Sequence, residues 1–182
     1  MRRLRNGKRE HGGAGFSLLE LLVVMAVLVL LLSLLMPALQ SARQSSLIAR
    51  SRAQFAQWVM AVEGFRQEYG YLPFLTGEGD TVFAINEPAN RATFLSVLGG
   101  DEAELNRYGI AFFRPGPQDL LEPGAEDSPL CDAFQNTALL LLLDGDRDGR
   151  IQVESYDVHA SVAVVALPDV AKGYPEIRSW DP

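Results

Sequence analysis

Cysteine is almost absent from this chain: Cys131 is the only one in 182 residues. No intrachain disulfide can staple the fold, and the thiol is left as a small buried hydrophobe or as one half of an intermolecular disulfide. Histidine is nearly as scarce, with His159 alone in the chain beyond Gly15. There is no Cys/His cluster of metal-binding spacing and no serine in a nucleophile-elbow pattern. No spacing among the acids separates a catalytic carboxylate pair from a charged surface. An enzyme is therefore not expected. Bases are also few outside the first ten residues. Arg2, Arg3, Arg5, Lys8 and Arg9 face only Glu10; removing them from totals of 16 bases and 23 acids leaves 11 against 22. That excludes a broad basic face, and with it nucleic acid as an expected partner.

What is present is a long apolar run, GFSLLELLVVMAVLVLLLSLLMPALQ, from Gly15 to Gln40. Its core from Phe16 to Leu39 spans ~24 residues; at ~1.5 Å per residue it reaches roughly 36 Å, enough to cross ~30 Å of hydrocarbon with some tilt. It exceeds an ordinary secretory h-region, and no small-x-small cleavage site follows it. The basic flank reads as cytoplasmic by the positive-inside rule, which sends the C-terminal body to the other side. The length suits one anchor and one modest body: 1–15 a basic leader, 16–39 a transmembrane helix, and 40–182 an extracytoplasmic domain. One acid, Glu20, interrupts the run. An ionised carboxylate in hydrocarbon costs on the order of 2–3 kcal/mol, so it needs a partner, a function, or a route to the interface by snorkelling.

Gly15-Phe16-Ser17-Leu18-Leu19-Glu20, after a basic leader and before an apolar helix, resembles the cleavage and methylation motif of type IV prepilins and type II secretion pseudopilins. The resemblance implies that a prepilin peptidase cuts between Gly15 and Phe16 and N-methylates the new Phe16 terminus. A glycine suits such a site because a residue without a side chain admits close approach to the backbone. It further implies that Glu20 pairs with the Phe16 ammonium of an adjacent subunit, burying two opposite charges together and so relieving part of their desolvation cost. Pro37 lies where pilin-like helices commonly carry a proline; it removes a helical hydrogen bond and permits a kink, or else marks the exit from the membrane.

Beyond Pro37, Ile48, Phe55, Val59, Val62, Phe65 and Tyr69 form one helical stripe, and Gly70 with Pro73 supplies a stop near Tyr69. A short helix is expected over Asn90–Leu98, capped by Asn90 and ended by Gly99–Gly100. Ile110–Arg114 reads as a short strand and 115–129 as a loop. Ala138–Leu143, Arg150–Glu154 and Ser161–Leu167 read as three strands. The expected fold class is α+β: a long N-terminal helix, membrane-spanning in its first half and amphipathic in its second, packed on a small C-terminal antiparallel β-sheet. Cys131-Asp132-Ala133-Phe134-Gln135-Asn136 looks like a degenerate DPWGNPY segment of major pseudopilins, and Pro175-Glu176-Ile177-Arg178-Ser179-Trp180 resembles their DDI-x-SW ending.

Asp144-Gly145-Asp146-Arg147-Asp148-Gly149 places carboxylates at alternate positions around a sharp turn. Hard oxygen ligands so folded suit calcium, with Asp144, Asp146 and Asp148 as ligands and the Arg150 carbonyl as a further one. The match is partial, since Ser155 stands where a bidentate acid would close the loop, although Glu154 and Asp157 lie close; a solvated hairpin turn accounts for the same residues. The family resemblance implies a subunit polymerising in the bacterial inner membrane with its body in the periplasm. Its partners would be copies of itself, other pseudopilins, the prepilin peptidase and the inner-membrane assembly platform. A type IV pilus subunit and a membrane-anchored calcium-binding module are the competing expectations.

Overall fold

The computed structural model describes residues 17–125, 127–153 and 155–181. The chain is α+β, with one long N-terminal helix, α1 (Leu18–Tyr69), packed through its second half on a small antiparallel sheet. It divides after Arg43 into two units. In the first, the described side chains are all exposed. This segment belongs to the only helix among the described residues that is long and apolar enough to cross a membrane.

In the second unit the sequence expectation of a helical stripe holds. Phe55, Val62 and Phe65 are buried, and Ile48, Val59 and Tyr69 pack against them half-buried. The stripe is wider than the sequence reading: Ser51, Gln54, Trp58 and Ala61 also face inward. The helix stops at Tyr69 because Gly70 takes φ 79°, with its N–H on the Arg66 carbonyl, the left-handed exit that a glycine enters without steric cost.

Strands β1 (Thr81–Ala84), β2 (Leu139–Leu143), β5 (Val162–Ala166) and β6 (Ile177–Arg178) form a sheet in the order β1-β2-β5-β6. Strands β3 (Ile151–Val153) and β4 (Tyr156–Val158) form a separate hairpin, so the strand expected at Arg150–Glu154 lies outside the main sheet. Glu154, the end of that expected strand, lies outside the described residues. Phe83, Leu141, Leu143, Val162, Val164 and Ala166 pack with α1, whereas Leu142, Ala163 and Val165 pack with Ile151 and Val158 of the hairpin. Burial on both faces explains why β2 reads LLLLL and β5 VAVVA rather than alternating with polar residues. Each buried leucine, valine or phenylalanine here contributes about 1.5–3 kcal/mol relative to exposure.

Two expectations are corrected. Helix α2 (Pro88–Gly99) begins before Asn90: its N-cap is Glu87, with Pro88 in the first turn, where proline's missing N–H costs nothing. Asn90 instead donates from Nδ2 to the Ala84 carbonyl at 3.0 Å, tying the helix start to β1. The C-terminal expectation stands, with Gly100 at φ 90° donating to Ser96; a Cβ there would lie 2.7 Å from the Gly109 carbonyl. Ile110–Arg114 is not a strand. The Phe112 and Phe113 amides both donate to the Leu98 carbonyl at the end of α2, a local anchor with no neighbouring strand.

The Cys131–Asn136 segment is pinned to α1. Gln54 Nε2 donates to Asp119 Oδ1 (2.7 Å) and to the Cys131 carbonyl (2.8 Å), and the Ser51 hydroxyl accepts from the Ala133 amide (3.1 Å). Burial and the neighbouring Asp132 and Asp119 push the Cys131 thiol up to about 11, so it stays protonated and packs as a small hydrophobe. Asp132 Oδ1 accepts from the Phe134 and Asn136 amides, while Oδ2 is buried without a well-formed hydrogen bond. Burial raises the Asp132 carboxyl above its ordinary value, outweighing the Asn136 and Phe134 amides and the Ser51 hydroxyl. A group raised on folding favours the fold fully below its unfolded pKa and loses that contribution as pH rises through its folded one. Asp132→Asn keeps the two accepted bonds and cannot ionise. Its stability relative to wild type should climb as pH rises from the ordinary carboxyl range to neutrality; urea midpoints of the full chain in detergent that run parallel across that range would refute the assignment.

Candidate functional site

The first turn of α1 is built by Ser17. Its hydroxyl accepts from the Leu19 amide at 3.2 Å, and its carbonyl accepts from the Glu20 and Leu21 amides at 3.0 and 3.1 Å. Ser17 is thus the N-cap, a role missed on the sequence although Ser-x-x-Glu is the signature of a capping box. Glu20 sits three residues on, in the first turn, exposed, where a negative charge is favoured by the helix dipole. It is the only charged residue from Leu18 to Ala42. Its carboxylate makes no ion pair with any described residue. Gly15 and Phe16 lie outside the described residues; the bond between them precedes the first helical residue, Leu18. Pro37 sits inside α1, where it supplies no N–H to the turn before it.

The acidic turn follows β2. Asp144 is buried, its Oδ1 accepting from Arg147 N (2.6 Å) and Oδ2 from Gly149 N (2.9 Å). Gly145 is required by space, because a Cβ there would meet the Gly79 carbonyl at 1.9 Å. That approach brings in a residue the sequence reading missed. The β1–β2 register pairs Thr81 with Leu143, so one step outward Asp80 meets Asp144. Carboxylate oxygens of Asp80, Asp144 and Asp146 lie within 4.8 Å of one another. Asp148 is not in this group; its Oδ1 accepts from Arg150 N at 2.7 Å. Asp157 is held below its usual carboxylate range by the Arg150 guanidinium, its bidentate partner. Ser155 lies exposed between β3 and β4, and Glu154 is outside the described residues.

The electrostatics at Asp146 favour a cation or a proton nearby. The Asp148 amide lowers the Asp146 carboxyl, yet partial desolvation and the nearby Asp148, Asp80 and Asp144 carboxylates outweigh it and raise the group overall. Three hard oxygen donors at this spacing can share a calcium ion. The signal for Asp80 was present in the sequence as Gly77-Glu78-Gly79-Asp80 ahead of the β-type run TVFAI, but four strand residues without clear alternation did not stand out.

The residues resembling pseudopilin segments act as fasteners of the sheet. Asn136 Nδ2 donates to the Leu167 carbonyl at 2.7 Å and its Oδ1 accepts from Ala138 N at 3.0 Å. Ser179 exchanges two bonds with Val164, Trp180 stacks edge-on against Tyr156, and Ile177 is buried.

Fold and site together define an α+β protein with, among the described residues, one candidate membrane-spanning helix and an acidic turn. Compared with known proteins, the chain matches no family model, no curated protein and no solved structure.

Proposed function

We propose that this chain is a pseudopilin of a type II secretion system: an inner-membrane subunit, cut between Gly15 and Phe16, that polymerises with its body in the periplasm. Its work is mechanical rather than catalytic, with subunits added from the membrane extending a filament that helps expel folded proteins. The observation that carries this reading is Glu20, the sole charge in an exposed apolar segment, placed in the first helical turn four residues beyond Phe16. An acid there gains from a neighbour's N-terminal ammonium what hydrocarbon cannot offer it. Partners on this reading are copies of the chain, other pseudopilins, the prepilin peptidase and the membrane assembly platform. The test is the intact mass, with N-terminal fragmentation, of the protein purified from its native membranes. A chain beginning at N-methylated Phe16 supports the proposal; one still beginning at Met1 removes it. A type IV pilus subunit shares this chemistry, and neighbouring genes for a secretin or for a retraction ATPase separate the two machines.

A second reading, a membrane-anchored calcium-binding module, is favoured by the convergence of Asp80 on Asp144 and Asp146. Calcium titrated into the full chain in detergent should raise its unfolding temperature, since a ligand at 100 times its Kd stabilises by about 2.7 kcal/mol. Asp80→Asn should weaken binding at least tenfold, about 1.4 kcal/mol. Calcium that stabilises both forms equally would place the ion elsewhere.

A further inference from the structure

The sheet ends on one side at β1, and the register fixes which of its groups face outward. The Ile85 amide donates to the Leu139 carbonyl and the Asp144 amide to the Ser161 carbonyl. Odd-numbered residues of β2 therefore exchange with β1 and even-numbered ones with β5. On β1, Thr81, Phe83 and Ile85 turn their backbone groups to β2, while Val82 and Ala84 turn theirs to the open edge. The Ala84 carbonyl is taken by the Glu87 amide and Asn90 Nδ2. The Val82 N–H, the Val82 carbonyl and the Ala84 N–H have no partner among the described residues. Val82 is 45% exposed. Phe83 of β1 and Thr93 of α2 also line an apolar groove of about 460 Å³, with Leu72, Phe74, Leu75 and Leu105.

We propose that this edge and groove bind an extended, basic segment of another protein as an added strand. In antiparallel register one residue of the segment exchanges both its backbone bonds with Val82, and the carbonyl two residues away accepts from the Ala84 amide. The intervening residue falls opposite Phe83, and its side chain enters the groove, because side chains alternate faces. The charge of the partner follows from the flanks of β1: residues 76–90 carry Glu78, Asp80 and Glu87 and no base. A second copy of this chain is a poor occupant, since pairing β1 with β1 about Val82 brings Glu78 of each copy towards Glu87 of the other. The proposal does not depend on the filament reading.

The probe is the peptide acetyl-Lys-Val-Thr-Val-Lys-amide, titrated into the ¹⁵N-labelled full chain in micelles of an uncharged detergent. The expected result is that the Val82 and Ala84 amides shift and exchange with solvent about tenfold more slowly. The same peptide N-methylated at threonine, or with glutamate for lysine, should bind at least about tenfold more weakly. Val82→Pro deletes the outward N–H and leaves the bonds of Thr81 and Phe83 to β2 in place; it should lose the peptide. Should that variant fail to fold, the two altered peptides decide. Equal binding of all three peptides, or shifts remote from β1, overturns the proposal. So does Val82 protection that grows with protein concentration in the absence of peptide, which would assign the edge to a second copy.

Discussion

Glu20→Ala should, if the chain is a pseudopilin, abolish filament assembly while leaving cleavage between Gly15 and Phe16 intact. On that reading the peptidase reads the leader, the glycine and the aromatic residue, none of which the substitution touches, and loss of a charge makes the apolar segment insert more readily. Assembly is another matter. If Glu20 pairs with the Phe16 ammonium of the next subunit, its removal leaves that ammonium buried and alone, a loss of about 3–5 kcal/mol, or roughly two to four orders of magnitude in each subunit contact. The structure supplies a rival account: the Ser17 hydroxyl caps the first turn and Glu20 lies in that turn, where an acid helps the helix start whatever its neighbours do. Glu20→Gln separates the two. Glutamine keeps an acceptor oxygen in the first turn and loses only the ~0.3–1 kcal/mol that a charge gains from the helix dipole, but it carries no charge for an ammonium. Sedimentation of sheared filaments and N-terminal masses of the three forms are the measurements; a glutamine form that is cut and assembles like wild type would reduce Glu20 to a helix-starting residue.

Strong periodic signals were legible in the sequence, and weak local ones were not. The end of α1 at Tyr69 followed from a helical stripe ended by Gly70, and β2 and β5 announced themselves as apolar runs. Strands β4 and β6, of three and two residues, are too short for any alternation to register; they exist because the second face of the sheet needs cover and the edge of β5 needs a partner. Asn90 looked like a cap because asparagine often is one, yet Pro88 takes the first turn and leaves Asn90 free to hold β1. The acidic turn was legible as Asp144 and Asp146, but Asp80 was not, since its place beside them is a consequence of the β1–β2 register and the missing Cβ of Gly145. In each failure a long-range pairing decided what local composition left open.

Asn106→Ala should cost about 3–5 kcal/mol, a large share of the ~5–15 kcal/mol that holds a domain together. The side chain is 1% exposed and all its bonding capacity is used. Nδ2 donates to the Val97 and Ile110 carbonyls, both at 2.7 Å, while Oδ1 accepts from the Tyr69 hydroxyl at 2.6 Å and from the Ile110 amide at 3.0 Å. Alanine replaces none of these, and each partner left buried without a substitute costs about 1–3 kcal/mol. The effect should be local before it is global. Asn106 closes the 101–110 loop on α2, so its loss frees the Gly100–Gly109 approach and the Phe112 and Phe113 amides from the Leu98 carbonyl. Hydrogen exchange at those two amides should accelerate at least as much as at the sheet. Asn106→Asp keeps the bonds from Tyr69 and Ile110 but sets a carboxylate against two carbonyls. It should therefore be destabilised at neutral pH and recover in part as acid protonates it, restoring one donor. Urea midpoints of the full chain in detergent give both numbers; an alanine form within about 1 kcal/mol of wild type would mean that water replaces what the asparagine holds, and that the loop is not fastened to the end of α1 through Tyr69.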